Sequence, residues 1–125
     1  MEQLIRLIKE LWTCKETLYF VEALQDAVYP YVVFAIVSGT DGATFTEDLL
    51  AVMFDFNVYS KKMSPIEALG ISAKIAKLYK GMTISVPGYN PSTIRKISEN
   101  YFKQSDSDVW VGNLGFRVEL EKQRI

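Results

Sequence analysis

Leu49-Leu50-Ala51-Val52-Met53-Phe54-Asp55-Phe56-Asn57-Val58-Tyr59-Ser60, with Ser64-Pro65-Ile66-Glu67 close behind it, is the stretch that decides the fold. Leu50, Val52, Phe54, Phe56 and Val58 alternate with Ala51, Met53, Asp55, Asn57 and Tyr59. A period of two predicts a long strand with one buried face and a second face that turns polar toward its end. Ser64-Pro65-Ile66-Glu67 reads as a capping box with Pro at the first helical position, opening a helix that stops at Gly81. A long strand feeding a capped helix is a scaffold for packing, and no catalytic constellation sits on it. The pattern points to a chain that works by assembling with copies of itself and with other proteins.

On the amino-terminal side, Pro30 sets the entry to a strand over Tyr31–Val37 that is apolar on both faces. Such a strand is usually covered on both sides. Ser38-Gly39-Thr40-Asp41-Gly42-Ala43-Thr44 is a polar, Gly-rich connection, longer than a tight turn and able to project as an arm, before Phe45 to Val58 returns as the partner strand. Further back, Leu4, Ile5, Ile8, Leu11 and Trp12 share one face of an amphipathic first helix. Thr13 to Tyr29 stays open: Leu18–Val21 is compatible with a short strand, and Glu22–Val28 with a helical turn or a loop.

On the carboxyl side, Ala68, Ile71, Ile75 and Leu78 form the buried stripe of the second helix, with Lys74, Lys77 and Lys80 pointing elsewhere. Gly81 suits a left-handed terminator. Met82, Ile84 and Val86 make a short strand ended by Pro87-Gly88, and Ser92 to Phe102 reads as a twisted, partly exposed strand. After a turn at Ser105–Asp108, Leu114, Phe116, Val118 and Leu120 point inward against Arg117, Glu119 and Glu121. The expected class is α+β: a single mainly antiparallel sheet of about four to five strands with two helices packed on one face, in the order α-β-β-α-β-β-β. Residues 1–125 are expected to form one domain.

The bulk numbers fit that reading. The chain has 125 residues, 49% hydrophobic and 23% charged, with a net charge of −1, which disfavours a dedicated nucleic-acid binder. The lone Cys14 excludes an internal disulfide, and its expected role is a buried small hydrophobe. The first twelve residues lack the apolar core of a signal peptide, and the longest apolar runs are too short to span a bilayer. A soluble product made in the cytoplasm is expected.

No histidine is present, so a Ser-His-Asp triad, a Cys-His pair and any His-based metal site are excluded. Asp55 lies between Met53 and Asn57 on its face, which suits a solvent or interface carboxylate better than a buried general acid. Asp106 and Asp108 have the spacing of a calcium loop without its Gly and distal Glu, so a solvated turn is the better reading. Gly39 and Gly42 lack the Lys and spacing of a phosphate loop. Lys74, Lys77 and Lys80, near Lys61 and Lys62, form the one basic concentration and read as a solvated helix face. Aromatic residues reach 13%, more than so small an interior needs, and surplus Tyr is what a protein interface uses.

Pro30-Tyr31-Val32-Val33-Phe34, then Met53-Phe54-Asp55-Phe56-Asn57-Val58-Tyr59-Ser60 after the Gly39–Gly42 connection, resembles the tail-completion (tail-terminator) proteins of long-tailed bacteriophages. Those proteins carry a Pro-Tyr-hydrophobic strand, then one ending in a hydrophobic-x-Val-Tyr/Trp-Ser pattern. The Ala- and Ile-rich helix from Ala68 to Gly81, ending Leu-x-x-Gly, is similar too, as is the closing segment from Asp106-Ser107-Asp108 to Leu120. The likeness covers most of the chain in order and length and departs most over Thr13–Tyr29. It implies a protomer that closes into a ring, typically a hexamer, at the head-proximal end of the tail tube. There it would stop tube polymerisation and offer a surface to the head connector. The implied partners are copies of itself, the tail-tube protein and the head–tail connector, with no membrane and no nucleic-acid specificity. The implied location is the virion tail or neck, after assembly in the bacterial host cytoplasm. No cofactor, metal or catalytic residue belongs to that reading. The candidate ring interface comprises Thr40, Asp41, Phe45, Asp55, Asn57, Tyr59 and Arg117. The alternative is a small-molecule-binding or enzymatic α+β domain, with a deep pocket between sheet and helices where Asp55, Tyr59 or Arg117 converge.

Overall fold

Strict alternation along two long segments builds the centre of the molecule. The computed structural model describes residues 2–37, 49–62, 64–105 and 107–123. Its elements run α1 (Glu2–Glu10), β1 (Thr17–Phe20), β2 (Tyr31–Ile36), β3 (Leu49–Ser60), α2 (Ile66–Tyr79), β4 (Thr83–Ile84), β5 (Ser92–Thr93), β6 (Arg95–Lys103) and β7 (Trp110–Glu121). β3 and β7, each 12 residues long, pair antiparallel from end to end, Leu49 opposite Glu121 and Ser60 opposite Trp110. They lie in the middle of a five-stranded sheet ordered β1-β2-β3-β7-β6. Every pairing in that sheet is antiparallel except β1 with β2, so the class is α+β with a mixed, mainly antiparallel sheet.

Both helices lie on one face, called inner here. Leu4 and Ile8 of α1 and Ala68, Ile71, Ile75 and Tyr79 of α2 join Val32, Phe34, Phe54, Phe56, Leu114 and Phe116 in one buried cluster. Rings fill this layer: Phe56 lies 4.9 Å from Tyr79, and Phe54 stacks on Phe116 at 5.6 Å. Each such side chain contributes about 1.5–3 kcal/mol by leaving water. α2 packs tightly on the sheet at Gly112, where an added Cβ would sit 2.6 Å from Ser72 Oγ. Tyr79 also ties the helices together, its hydroxyl donating to the Ile8 carbonyl at 2.7 Å. Among the described residues no helix is long and apolar enough to cross a membrane.

Several local expectations are corrected. The Ser64–Glu67 capping box does not close: the Ile66 N–H reaches Ser64 Oγ at 3.4 Å, while Glu67 Oε1 accepts the buried Ser60 hydroxyl at 2.6 Å. Satisfying a hydroxyl inside the sheet takes precedence over an exposed cap. Gly81, by contrast, is the left-handed terminator expected (φ +80); with Lys80 it forms a type II turn in which the Met82 N–H donates to Tyr79 O at 3.1 Å. Met82–Val86 adds nothing to the main sheet: Thr83 and Ile84 pair with Thr93 and Ser92 as a separate two-stranded ribbon. The open stretch Thr13–Tyr29 contains a genuine strand, β1, parallel to β2. Cys14 is half-buried, not buried. The described part of the long strand begins at Leu49, and the expected arm, Ser38–Thr44 with Phe45, lies outside the described residues.

Candidate functional site

The face of the sheet turned away from the helices is built by the other half of each alternation. Register lines its side chains up in rows across β2, β3, β7 and β6. Tyr31, Tyr59, Val111 and Phe102 form one row, and Val33, Asn57, Asn113 and Asn100 the next. Ala35, Asp55, Gly115 and Ser98 follow, then Met53, Arg117 and Arg95. The face therefore grades from aromatic through amide and carboxylate to cationic along the strand direction. Neither helix covers it, yet Val33 is 7% exposed and Tyr31 and Ala35 are half-buried.

At the aromatic end Tyr31 is the centre. Its ring lies 5.1 Å from Tyr59 in a stacked pair, 5.1 Å from Tyr29 and 5.8 Å edge-on to Tyr19. Lys61 Nζ sits 5.7 Å above the Tyr29 ring. Burial, then the neighbouring Tyr29, Tyr59 and Tyr19, push the Tyr31 phenol up to about 12. In the middle, the Asn113 amide donates to Asp55 Oδ2 at 3.1 Å and to Asn57 Oδ1 at 2.8 Å. Burial raises the Asp55 carboxyl above its ordinary value, and the bond from Asn113 partly offsets this. The Tyr59 phenol is raised as well, by burial first and then by the Asp55 charge. Arg117 pairs with Glu119 at 3.1 Å, one row beyond Asp55.

Of the residues singled out from sequence, Asp55, Asn57, Tyr59 and Arg117 thus share this one face. Thr40, Asp41 and Phe45 lie outside the described residues. Sequence reasoning missed Asn113, which bridges Asp55 and Asn57, and the grouping of Tyr19, Tyr29 and Tyr31 around Tyr59. Asn113 was reachable, because the outward parity that holds Arg117 and Glu119 runs back to it.

The arrangement suits contact with a protein surface: Tyr-rich, with fixed amide and carboxylate groups and a small hollow of about 160 Å³ beside Asp55 and Asn113. Among the described residues no group of three or more Cys, Asp or Glu side chains gathers to hold a metal ion. The layer between sheet and helices, where the alternative reading needs its pocket, is filled by the rings of Phe34, Phe54, Phe56, Tyr79 and Phe116. A groove of about 520 Å³ opens elsewhere, between the α1–β1 connection and α2, lined by Thr13, Cys14, Lys15, Lys74, Lys77 and Leu78.

No protein-family model matches the chain, and no curated protein matches it. Solved structures share its fold. One is a chain from the virion of a native gene transfer agent particle, with a TM-score of 0.68 and 14% identity, covering 84% of this chain and 78% of that one. A second solved chain, 11% identical, has a TM-score of 0.58 over 99% of this chain and 92% of its own length.

Proposed function

We propose that this protein is a structural component of a phage-like virion, a tail-terminator-like domain over residues 1–125 that closes the head-proximal end of the tail tube. It does so as a homo-oligomeric ring, typically a hexamer, and joins the tube to the head connector. The observation that carries the reading is the shared fold with a chain of the gene transfer agent virion at a TM-score of 0.68. The order of elements and the sequence likeness to tail-completion proteins point the same way.

The outer sheet face supports it from the physical side. A Tyr-rich, half-buried surface with no helix over it is suited to burial by another subunit. On this reading Asp55, Asn57, Tyr59 and Arg117 contribute to the ring contacts, and Thr40, Asp41 and Phe45 belong to the same interface. The protein acts by occupying a tube end, with no bond made or broken.

The test uses the full chain with purified tail-tube protein. Mass photometry from nanomolar to high micromolar concentration should reveal a discrete ring-sized species, and negative-stain microscopy should find it at one end of the tubes. A strict monomer at every concentration, with tubes present and their ends bare, overturns the reading.

A further inference from the structure

The connection between β1 and β2, residues 21–30, has an unusual surface. Val21, Leu24 and Val28 are 61%, 66% and 80% exposed. Glu22 and Asp26 stand among them, and the segment contains no basic residue. Val21 has φ +73, and the Phe20 carbonyl accepts the Glu22 N–H at 2.9 Å. That is a γ-turn of the strained, positive-φ kind, an outlier for a β-branched residue. It ends the line of β1 abruptly. Three large aliphatic side chains standing in water along one short segment are a contact surface waiting for cover.

The groove beside α2 has the complementary character. Leu78 and the aliphatic stems of Lys74 and Lys77 give it an apolar lining, while the ammonium groups of Lys15, Lys74 and Lys77 make it positive. At one wall, burial first and then the neighbouring Glu16 carboxylate raise the Cys14 thiol, while Lys74 lowers it. A nucleic-acid backbone would use the lysines but leave the apolar lining unused. An aliphatic segment carrying two carboxylates uses both.

We propose that the groove of one copy receives the 21–28 segment of a second copy, Leu24 against Leu78 and the carboxylates of Glu22 and Asp26 among Lys15, Lys74 and Lys77. The two patches share no residue, so each copy can give one and receive one. The contact is head to tail, the kind that propagates and closes into a ring when its rotation permits. This inference rests on the ring reading and names a contact that builds it.

Two charge-reversed versions of the chain test it, Lys74→Glu with Lys77→Glu, and Glu22→Lys with Asp26→Lys; all four positions are exposed. Each protein alone should need about tenfold more material to half-assemble in mass photometry, since like charges then face one another. An equimolar mixture should regain wild-type assembly, because each altered groove then meets an altered segment of opposite sign. If both proteins assemble as the wild type does, or the mixture recovers nothing, the docking is wrong while the ring reading stands on the wild-type ring. A wild type that never assembles removes both. As a second measurement, Leu24→Cys should give an intermolecular disulfide with Cys14 under mild oxidant. A cross-link that survives the addition of Cys14→Ser overturns the pairing.

Discussion

Replacing Tyr79 by Phe removes one oxygen and should loosen α1 from the rest of the molecule. At the end of α1 the Leu11 N–H donates to Leu7 O and the Trp12 N–H to Lys9 O, which passes over the Ile8 carbonyl. Carbonyls in the last turn of a helix need partners from elsewhere, and Tyr79 supplies this one at 2.7 Å from a fully buried position. Phe keeps the ring contacts with Phe56 at 4.9 Å and Phe116 at 6.0 Å. What is lost is the bond and the solvation of a buried acceptor, about 2 kcal/mol together. In urea the midpoint should fall by roughly 1 M with the slope unchanged. The melting temperature should drop by about 6–8 °C for a chain of this length. Hydrogen exchange should speed up first in α1. A loss below about 0.5 kcal/mol would mean that Ile8 finds another donor and that this bond does not hold the helices together.

Three further outcomes are expected. Gly112→Ala should cost about 1–3 kcal/mol in urea unfolding, because its Cβ collides with Ser72 Oγ and crowds the Tyr101 ring, and adding Ser72→Ala should recover part of it; a neutral Gly112→Ala refutes the close approach. Val21→Gly, measured at dilution, should gain about 1 kcal/mol, because relief of a left-handed β-branched residue exceeds the entropy that glycine adds to the unfolded chain; a loss of stability would contradict the strain. Asp55 has a raised folded pKa, so the folded state holds its proton more tightly, and the group favours folding most below the unfolded value of about 3.9. That contribution fades as pH rises through the folded value, so Asp55→Asn should gain on the wild type as pH climbs above the unfolded value. A stability difference that stays flat across that range would refute it.

Legibility in the sequence followed burial. In β3 and β7 an inner face buried along most of its length imposed alternation, so parity alone put Asp55, Asn57, Tyr59 and Arg117 on one surface. β1 was only half legible, Leu18–Val21 being compatible with a short strand and no more, because four residues at a sheet edge, exposed or half-buried, carry no pattern of their own and depend on β2 for their conformation. Tyr79 completes the spacing Ala68, Ile71, Ile75, yet its hydroxyl made Leu78 look like the better core residue. Glu67 shows the limit from the other side. Its local partner was visible in the sequence, but its actual partner, Ser60, gains its claim only once Ser60 is buried in the sheet. The γ-turn at Val21 had no signal at all, since valine is among the residues least suited to it.

The β3–β7 ladder has a consequence during synthesis. Roughly 50 residues separate the end of β3 from the start of β7. At about 5–20 residues per second, a ribosome leaves β3 without its principal neighbour for several seconds. Through that interval the nascent chain displays an unzipped, greasy ribbon, and its yield in the cell depends on what shields that ribbon until the carboxyl-terminal strand emerges.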